Sequence, residues 1–134
     1  MNSSKAQVSL EYLLIALAII SVLSILIYQI TNLYNKNIQA IDNLELKNTS
    51  KNIQDTLDLF NLQPKGIMEI SINPQQNWYL ETTKSNLLKI KNKNKEYSIN
   101  SNNNLFLKTK QITKPGQIVI EKKDNRIIIS YYLE

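Results

Sequence analysis

Gln7, Ser9 and Glu11 stand at alternate positions just before a fifteen-residue apolar run, Leu13–Ile27, that reads LLIALAIISVLSILI. A carboxylate at the mouth of such a run asks for special chemistry. A charge at the centre of a bilayer costs roughly 2.5–3.5 kcal/mol, and less near the interface. Glu11 therefore either meets a cation or rests at the water boundary, where the positive end of a helix dipole favours it. The rest of the composition removes most other chemistry. The 134 residues include no Cys and no His, which excludes thiolate nucleophiles, Cys/His metal centres, disulfide frameworks and Ser-His or Cys-His pairs. With Gly66 and Gly116 as the two glycines, no Gly-rich phosphate loop can be written. Ser and Asp occur, but at no spacing that gathers them into a site. The chain is expected not to be an enzyme, and to need no cofactor or metal.

The element that must carry Glu11 is a helix. No charge occurs between Glu11 and Lys36, and the run is dominated by Leu, Ala and Ile without Gly or Pro. At about 1.5 Å per residue, that stretch can cross a hydrocarbon layer of roughly 30 Å. In lipid the backbone must satisfy its own polar groups, which also requires helix. A conventional secretory signal has a basic start and a small-x-small cleavage site after its apolar core. Lys5 supplies the start, but Ala16-Leu17-Ala18 falls inside the run, and Glu11 is out of place before it. A plain membrane anchor explains the hydrophobicity but not the residues leading into it.

Those residues, Lys5-Ala6-Gln7-Val8-Ser9-Leu10-Glu11-Tyr12-Leu13, resemble the leader of archaeal type IV pilins with class III signal peptides. That pattern is a short basic leader, a small residue, Gln-x-Ser-x-Glu and then the hydrophobic stretch. Lys5 fits the basic position, Ala6 the small one, and Gln7, Ser9 and Glu11 match the motif. The resemblance covers about thirty residues. It implies cutting between Ala6 and Gln7 by a membrane-embedded prepilin peptidase, with the helix kept on the mature chain. It also implies a membrane-inserted precursor with a cytoplasmic N-terminus, a mature form in a surface filament, and an assembly ATPase and membrane platform as partners. Other copies would pack through Leu13, Leu14, Ile15, Leu17, Ile19, Ile20, Leu23 and Ile27. In the wider pilin family such a glutamate is thought to pair with a neighbouring subunit's terminal amine. Carried over, Glu11 meets the Gln7 amine of the next subunit and sets the stagger between helices. Should Gln7 cyclise to pyroglutamate, that amine is lost, and Glu11 could only accept hydrogen bonds or take up a proton.

Beyond Tyr28 the pattern turns amphipathic. Ile30, Leu33, Tyr34, Ile38, Ile41 and Leu44 recur at three- and four-residue steps, and Ile53, Leu57 and Phe60 are expected to continue that face. Unbroken from Gln7 to Phe60, the helix would be roughly 80 Å long. The polar run Asn48-Thr49-Ser50-Lys51-Asn52 is a candidate kink, because such side chains compete for backbone hydrogen bonds. Asn48-Thr49-Ser50 is also an N-glycosylation sequon. Asn2-Ser3-Ser4 is another, but it falls in the expected leader.

Asn61 to Gly66 is a boundary, with Pro64 and Gly66 as breakers. After it the period becomes two, and strands are expected at 67–73, 77–83, 86–91, 96–100, 105–110, 117–122 and 126–133. Short connections predict an antiparallel meander, one face of which packs on Ile53, Leu57 and Phe60. Met68, Ile70 and Ile72 share a face, as do Trp78 and Leu80, Leu88 and Ile90, and Ile127, Ile129 and Tyr131. Trp78 and Tyr79 are either a sugar- or surface-binding pair or core and rim. Lys84, Lys89, Lys91, Lys93 and Lys95 suggest a solvated face or a protected edge. Residues 64–134 hold eleven Lys and one Arg against six acids. No aromatic interleaving supports stacking on bases, so no nucleic-acid partner is expected.

The expected fold class is α+β: a long N-terminal hydrophobic and then amphipathic helix packed on a small antiparallel β-sheet domain. The divisions are a leader 1–6, a span or filament-core helix 7–30, its amphipathic continuation 31–63, and a β head 64–134. The function the resemblance implies is a pilin or minor pilin of a surface filament, with room for adhesion by the head. A single-pass anchored binding module outside the cytoplasm is the alternative.

Overall fold

The computed structural model describes the backbone of residues 3–134 and the side chains from Gln7 onward. Of the expected leader 1–6, residues 1 and 2 with the Asn2 sequon, and the side chains of Lys5 and Ala6, lie outside the described residues. The fold is α+β. Helix α1 (Ser3–Asn61) is followed by β1 (Lys65–Ile72), β2 (Trp78–Lys84), β3 (Leu87–Lys91), β4 (Glu96–Asn100), β5 (Asn104–Leu107), β6 (Gln111–Ile112), β7 (Gly116–Lys123) and β8 (Arg126–Leu133). Two compact units divide the chain, one ending at Asn37 and the other running Ile38–Glu134.

No Gly or Pro interrupts Ser3–Asn61, so nothing in the backbone chemistry breaks α1. The kink expected at 48–52 is absent. Its cause was to be side chains competing for backbone groups, and here they do so without leaving the helix. Ser50 Oγ donates to the Lys47 carbonyl at 2.8 Å, and Thr56 Oγ1 to the Asn52 carbonyl at 2.8 Å. Both residues, with Thr49, are buried against the head. The helix stops at Asn61, where the buried Lys122 Nζ donates to the carbonyls of Phe60 and Gln63, the latter at 2.8 Å. The Phe60 carbonyl is one that a helix end leaves without an intrahelical partner, and the Gln63 carbonyl belongs to the turn that follows.

The face that α1 buries also differs from expectation. Asp42, Leu46, Thr49, Ser50, Ile53, Thr56, Leu57 and Phe60 are buried, while Ile41 and Leu44 are exposed. Leu44 and Ile53 are nine residues apart, about two and a half turns, so they point to opposite sides. The apolar positions formed two faces rather than one.

The head has two four-stranded sheets in place of a single meander, ordered β1-β7-β8-β5 and β4-β3-β2-β6. The expected strand 105–110 ends early, with β5 stopping at Leu107; a separate short strand, β6, begins at Gln111, and the chain changes sheets between them. Lys108 N–H donates to the Ile129 carbonyl at 2.9 Å on one side of the switch, and the Lys110 carbonyl accepts from Leu80 N–H at 2.9 Å on the other. β5 then pairs with β8 in parallel, Leu105 beside Ile127 and Leu107 beside Ile129. This corrects the all-antiparallel expectation. β7 already holds one side of β8, and the strand that reaches the other side arrives from a different sheet. Alternation within strands is as read: Trp78 and Leu80, Leu88 and Ile90, and Ile127 and Ile129 are buried together. Ile70 and Ile72 are also inside, whereas Met68 sits at the rim, 36% exposed. These side chains and the helix residues Leu46, Ile53, Leu57 and Phe60 form one core.

Candidate processing and assembly segment

The first turns of α1 carry the motif. Gln7 and Glu11 are four residues apart, so they lie one above the other on a single helix face. Ser9 is displaced around the cylinder, and all three are exposed. Helical backbone extends through Ala6 and Gln7, so the bond expected to be cut lies inside the helix. The opening turn of a helix has N–H groups without intrahelical partners and is the easiest to unwind.

From Leu13 to Ile27 every large apolar side chain is uncovered, at 47–64% exposure. This includes the eight positions proposed for packing: Leu13, Leu14, Ile15, Leu17, Ile19, Ile20, Leu23 and Ile27. The helix is long and apolar enough to cross a membrane. The polar residues in and beyond the run are internally satisfied. Ser21 Oγ donates to the Leu17 carbonyl at 2.8 Å, Ser24 Oγ to Ile20 at 2.8 Å, and Thr31 Oγ1 to Ile27 at 2.9 Å. Hydroxyls spent in this way can enter hydrocarbon at little cost. An uncovered apolar cylinder of this kind has two natural surroundings, lipid or other helices.

Asn48 is exposed, but its sequon is helical and the Ser50 hydroxyl is turned back onto Lys47. Trp78 is fully buried, which removes it from any surface-binding pair; Tyr79 is at the rim, 40% exposed. The alternating lysines are partly paired. Lys89 bridges Glu96 and Lys91 bridges Glu81, each at 2.8 Å. The hydrogen bond and charge of Lys89 hold the Glu96 carboxyl below its usual range, and the Glu81 hydrogen bond raises Lys91. Burial pushes the Tyr131 hydroxyl up. No cluster of three or more potential metal ligands occurs among the described residues.

Sequence reasoning missed the residues that tie the head to its helix. Asp42 is completely buried. Its Oδ1 accepts from Trp78 Nε1 at 3.0 Å and from the N–H groups of Gln75 and Gln76 at 2.8 and 3.2 Å. Its Oδ2 accepts from Asn92 Nδ2 at 2.6 Å. Asn92 in turn shapes the β3–β4 turn, its Oδ1 accepting from the N–H groups of Asn94 and Lys95 at 2.9 and 2.8 Å. Gln54 binds the Asn100 backbone as a strand would, giving Nε2 to its carbonyl and taking its N–H, both at 3.1 Å. One signal was available. Asp42 is in helical phase with Leu46, Ile53, Leu57 and Phe60, so an acid stood among the core positions.

Residues 4–30 match the family model described as Class III signal peptide. The match contains Lys5, Ala6, Gln7, Ser9 and Glu11 and ends within the apolar helix, short of the head. It implies processing by a prepilin peptidase, and with the uncovered helix it supports a membrane-inserted, type IV pilin-like precursor. No curated protein and no solved structure matches the chain.

Proposed function

We propose that this chain is the precursor of a structural subunit, pilin or minor pilin, of a type IV pilus-like surface filament. The supporting observation is the Gln7/Ser9/Glu11 motif at the head of a helix whose apolar side chains from Leu13 to Ile27 have no cover. A prepilin peptidase cuts between Ala6 and Gln7 after the opening turn unwinds. The helix waits in the membrane, where lipid covers it. Assembly exchanges lipid for neighbouring helices, and once outside the membrane the same side chains are held together by the hydrophobic effect.

Glu11 gives this step its register. A new amine at Gln7 has an ordinary pKa near 7.7–8.0 and is largely protonated at neutral pH. Away from water, the neighbour's carboxylate is its natural partner, and the pair relieves the cost of each charge. The assembly ATPase and membrane platform supply the work of extraction, and the β head faces outward, where an adhesive role would reside.

Glu11→Ala tests the assignment. The precursor is expected to be cut as before, while subunits stay in the membrane and recovery from sheared filaments falls at least tenfold. Glu11→Gln keeps hydrogen bonding without the charge and should assemble poorly if the amine is free. Normal filament yield from both variants would overturn the register role. Cleaved chain that never enters a filament, even with Glu11 intact, would favour an anchored module.

A further inference from the structure

The side of α1 turned away from the head, within Ile38–Asn61, changes character along its axis. Ile41 and Leu44 come first, 56% and 60% exposed. Lys47 and Lys51 follow, then Asp55 and Asp58, all four exposed. Steps of three and four residues keep the six on one side of the helix. That side is opposite the buried Leu46, Ile53, Leu57 and Phe60.

The charges on this strip are segregated, two basic and then two acidic. The one opposite-charge pair at four-residue spacing, Lys51 and Asp55, has Lys on the N-terminal side, the weaker order. The ion pairs formed among the described residues are Lys89–Glu96, Lys91–Glu81 and Lys123–Glu121. None draws on the strip, and Asp58 accepts only the Gln54 amide at 3.0 Å.

A basic patch followed by an acidic patch on one straight element is complementary to itself. A second helix laid parallel and shifted by seven or eight residues, about 12 Å, brings Lys47 level with Asp55 and Lys51 level with Asp58. An anionic lipid surface would repel Asp55 and Asp58. We infer that this strip of α1 is a docking surface for a second, parallel copy of the same chain, staggered by about 12 Å. Ile41 and Leu44 form its apolar end. Exposed ion pairs contribute little affinity singly, so the strip acts by fixing register. The inference rests on the filament reading; the Glu11–Gln7 offset of four residues is about 6 Å, so the copy met by the strip at about 12 Å is a different neighbour from the one whose amine Glu11 takes.

The test uses the full chain with Lys47→Cys and Asp55→Cys together. No other cysteine is present. Two positions eight residues apart on one helix are about 12 Å apart, too far for a disulfide within a chain. Oxidation of sheared filaments, and separately of membranes, should therefore give a ladder of dimers, trimers and longer species, while each single variant stays monomeric. Monomer alone in fractions that contain the protein would overturn the docking strip. So would closed dimers from the double variant, which report antiparallel pairing, or dimers from either single variant, which report packing in register. Presence of the chain in sheared filaments reads the filament assignment independently. If it is absent there, the ladder in membranes still decides the strip. As a second check, Lys47→Asp/Lys51→Asp should reduce filament recovery severalfold, and adding Asp55→Lys/Asp58→Lys should restore it. Loss without restoration would contradict the charge register.

Discussion

Asp42 on the helix and Trp78 at the start of β2 meet through a 3.0 Å hydrogen bond from the indole N–H, and both residues are fully buried. The same carboxylate receives the backbone of the β1–β2 turn and the side chain of Asn92. One acid thus fastens two turns of the head to the helix. Replacing it by Ala would take an acceptor from the buried Trp78 indole and Asn92 amide and from two part-buried turn N–H groups, at about 1–3 kcal/mol for each buried unsatisfied group. Asp42→Ala is expected to cost at least about 2 kcal/mol, with Asp42→Asn intermediate because it retains one acceptor oxygen. Denaturant unfolding of the chain in detergent, followed by Trp78 fluorescence, measures both. Loss under about 1 kcal/mol for Asp42→Ala would contradict the account.

Lys122 closes the C-terminus of α1 from β7. Lys122→Met keeps the aliphatic stem but removes the donor, and should cost about 1.5–3 kcal/mol, the range for charged hydrogen bonds. Amide exchange should rise first at the end of the helix, near Phe60. Unchanged protection there would show that the ammonium does not hold the helix end.

Gly116 begins β7 with the Tyr132 carbonyl and the Tyr131 hydroxyl close over it, so a methyl group there has no room. Gly116→Ala should destabilise the head by about 1–3 kcal/mol through overpacking. Adding Tyr131→Phe removes the hydroxyl and should recover part of that loss in thermal melts. No recovery would place the strain at the Tyr132 backbone and the Tyr131 ring rather than the hydroxyl.

The Lys89–Glu96 and Lys91–Glu81 pairs predict opposite pH limbs. Glu96 is depressed below 4.5 in the folded chain, so its contribution is present above that value and fades as pH falls through the lower folded value. Lys91 is raised above 10.5, so its contribution is present below 10.5 and fades as pH rises through the higher folded value. Both pairs are exposed, and added salt should flatten both limbs. Melting across pH should show Lys89→Met removing the acid limb while sparing the alkaline one. An unchanged acid limb would contradict the assignment.

The parts of the fold that were legible in the sequence rest on local rules. An uncharged run without Gly or Pro dictates helix, and alternation in Trp78-Tyr79-Leu80 or Ile127–Tyr131 dictates strand faces. The motif at Gln7, Ser9 and Glu11 was legible because it is contiguous. What escaped depends on contacts between distant residues. Whether Ser50 bends a helix depends on whether the head covers it. Whether Leu105–Lys110 is one strand depends on which sheet each end meets. Asp42 looked like any helical acid until its donors, thirty to fifty residues away, were brought to it. The buried side of α1 was misread because two apolar sets, Ile41 with Leu44 and Ile53 with Phe60, each have helical spacing but differ by half a turn.

The central claim, a precursor cut before Gln7 and built into a filament, is tested most directly by intact mass and N-terminal peptide mapping of sheared surface filaments and membranes. The account predicts filament-borne chain that starts at Gln7, either with a free amine or lighter by one ammonia if cyclised. The latter would leave Glu11 without its ionic partner while keeping the processing intact. An uncut terminus found only in membranes would contradict the account.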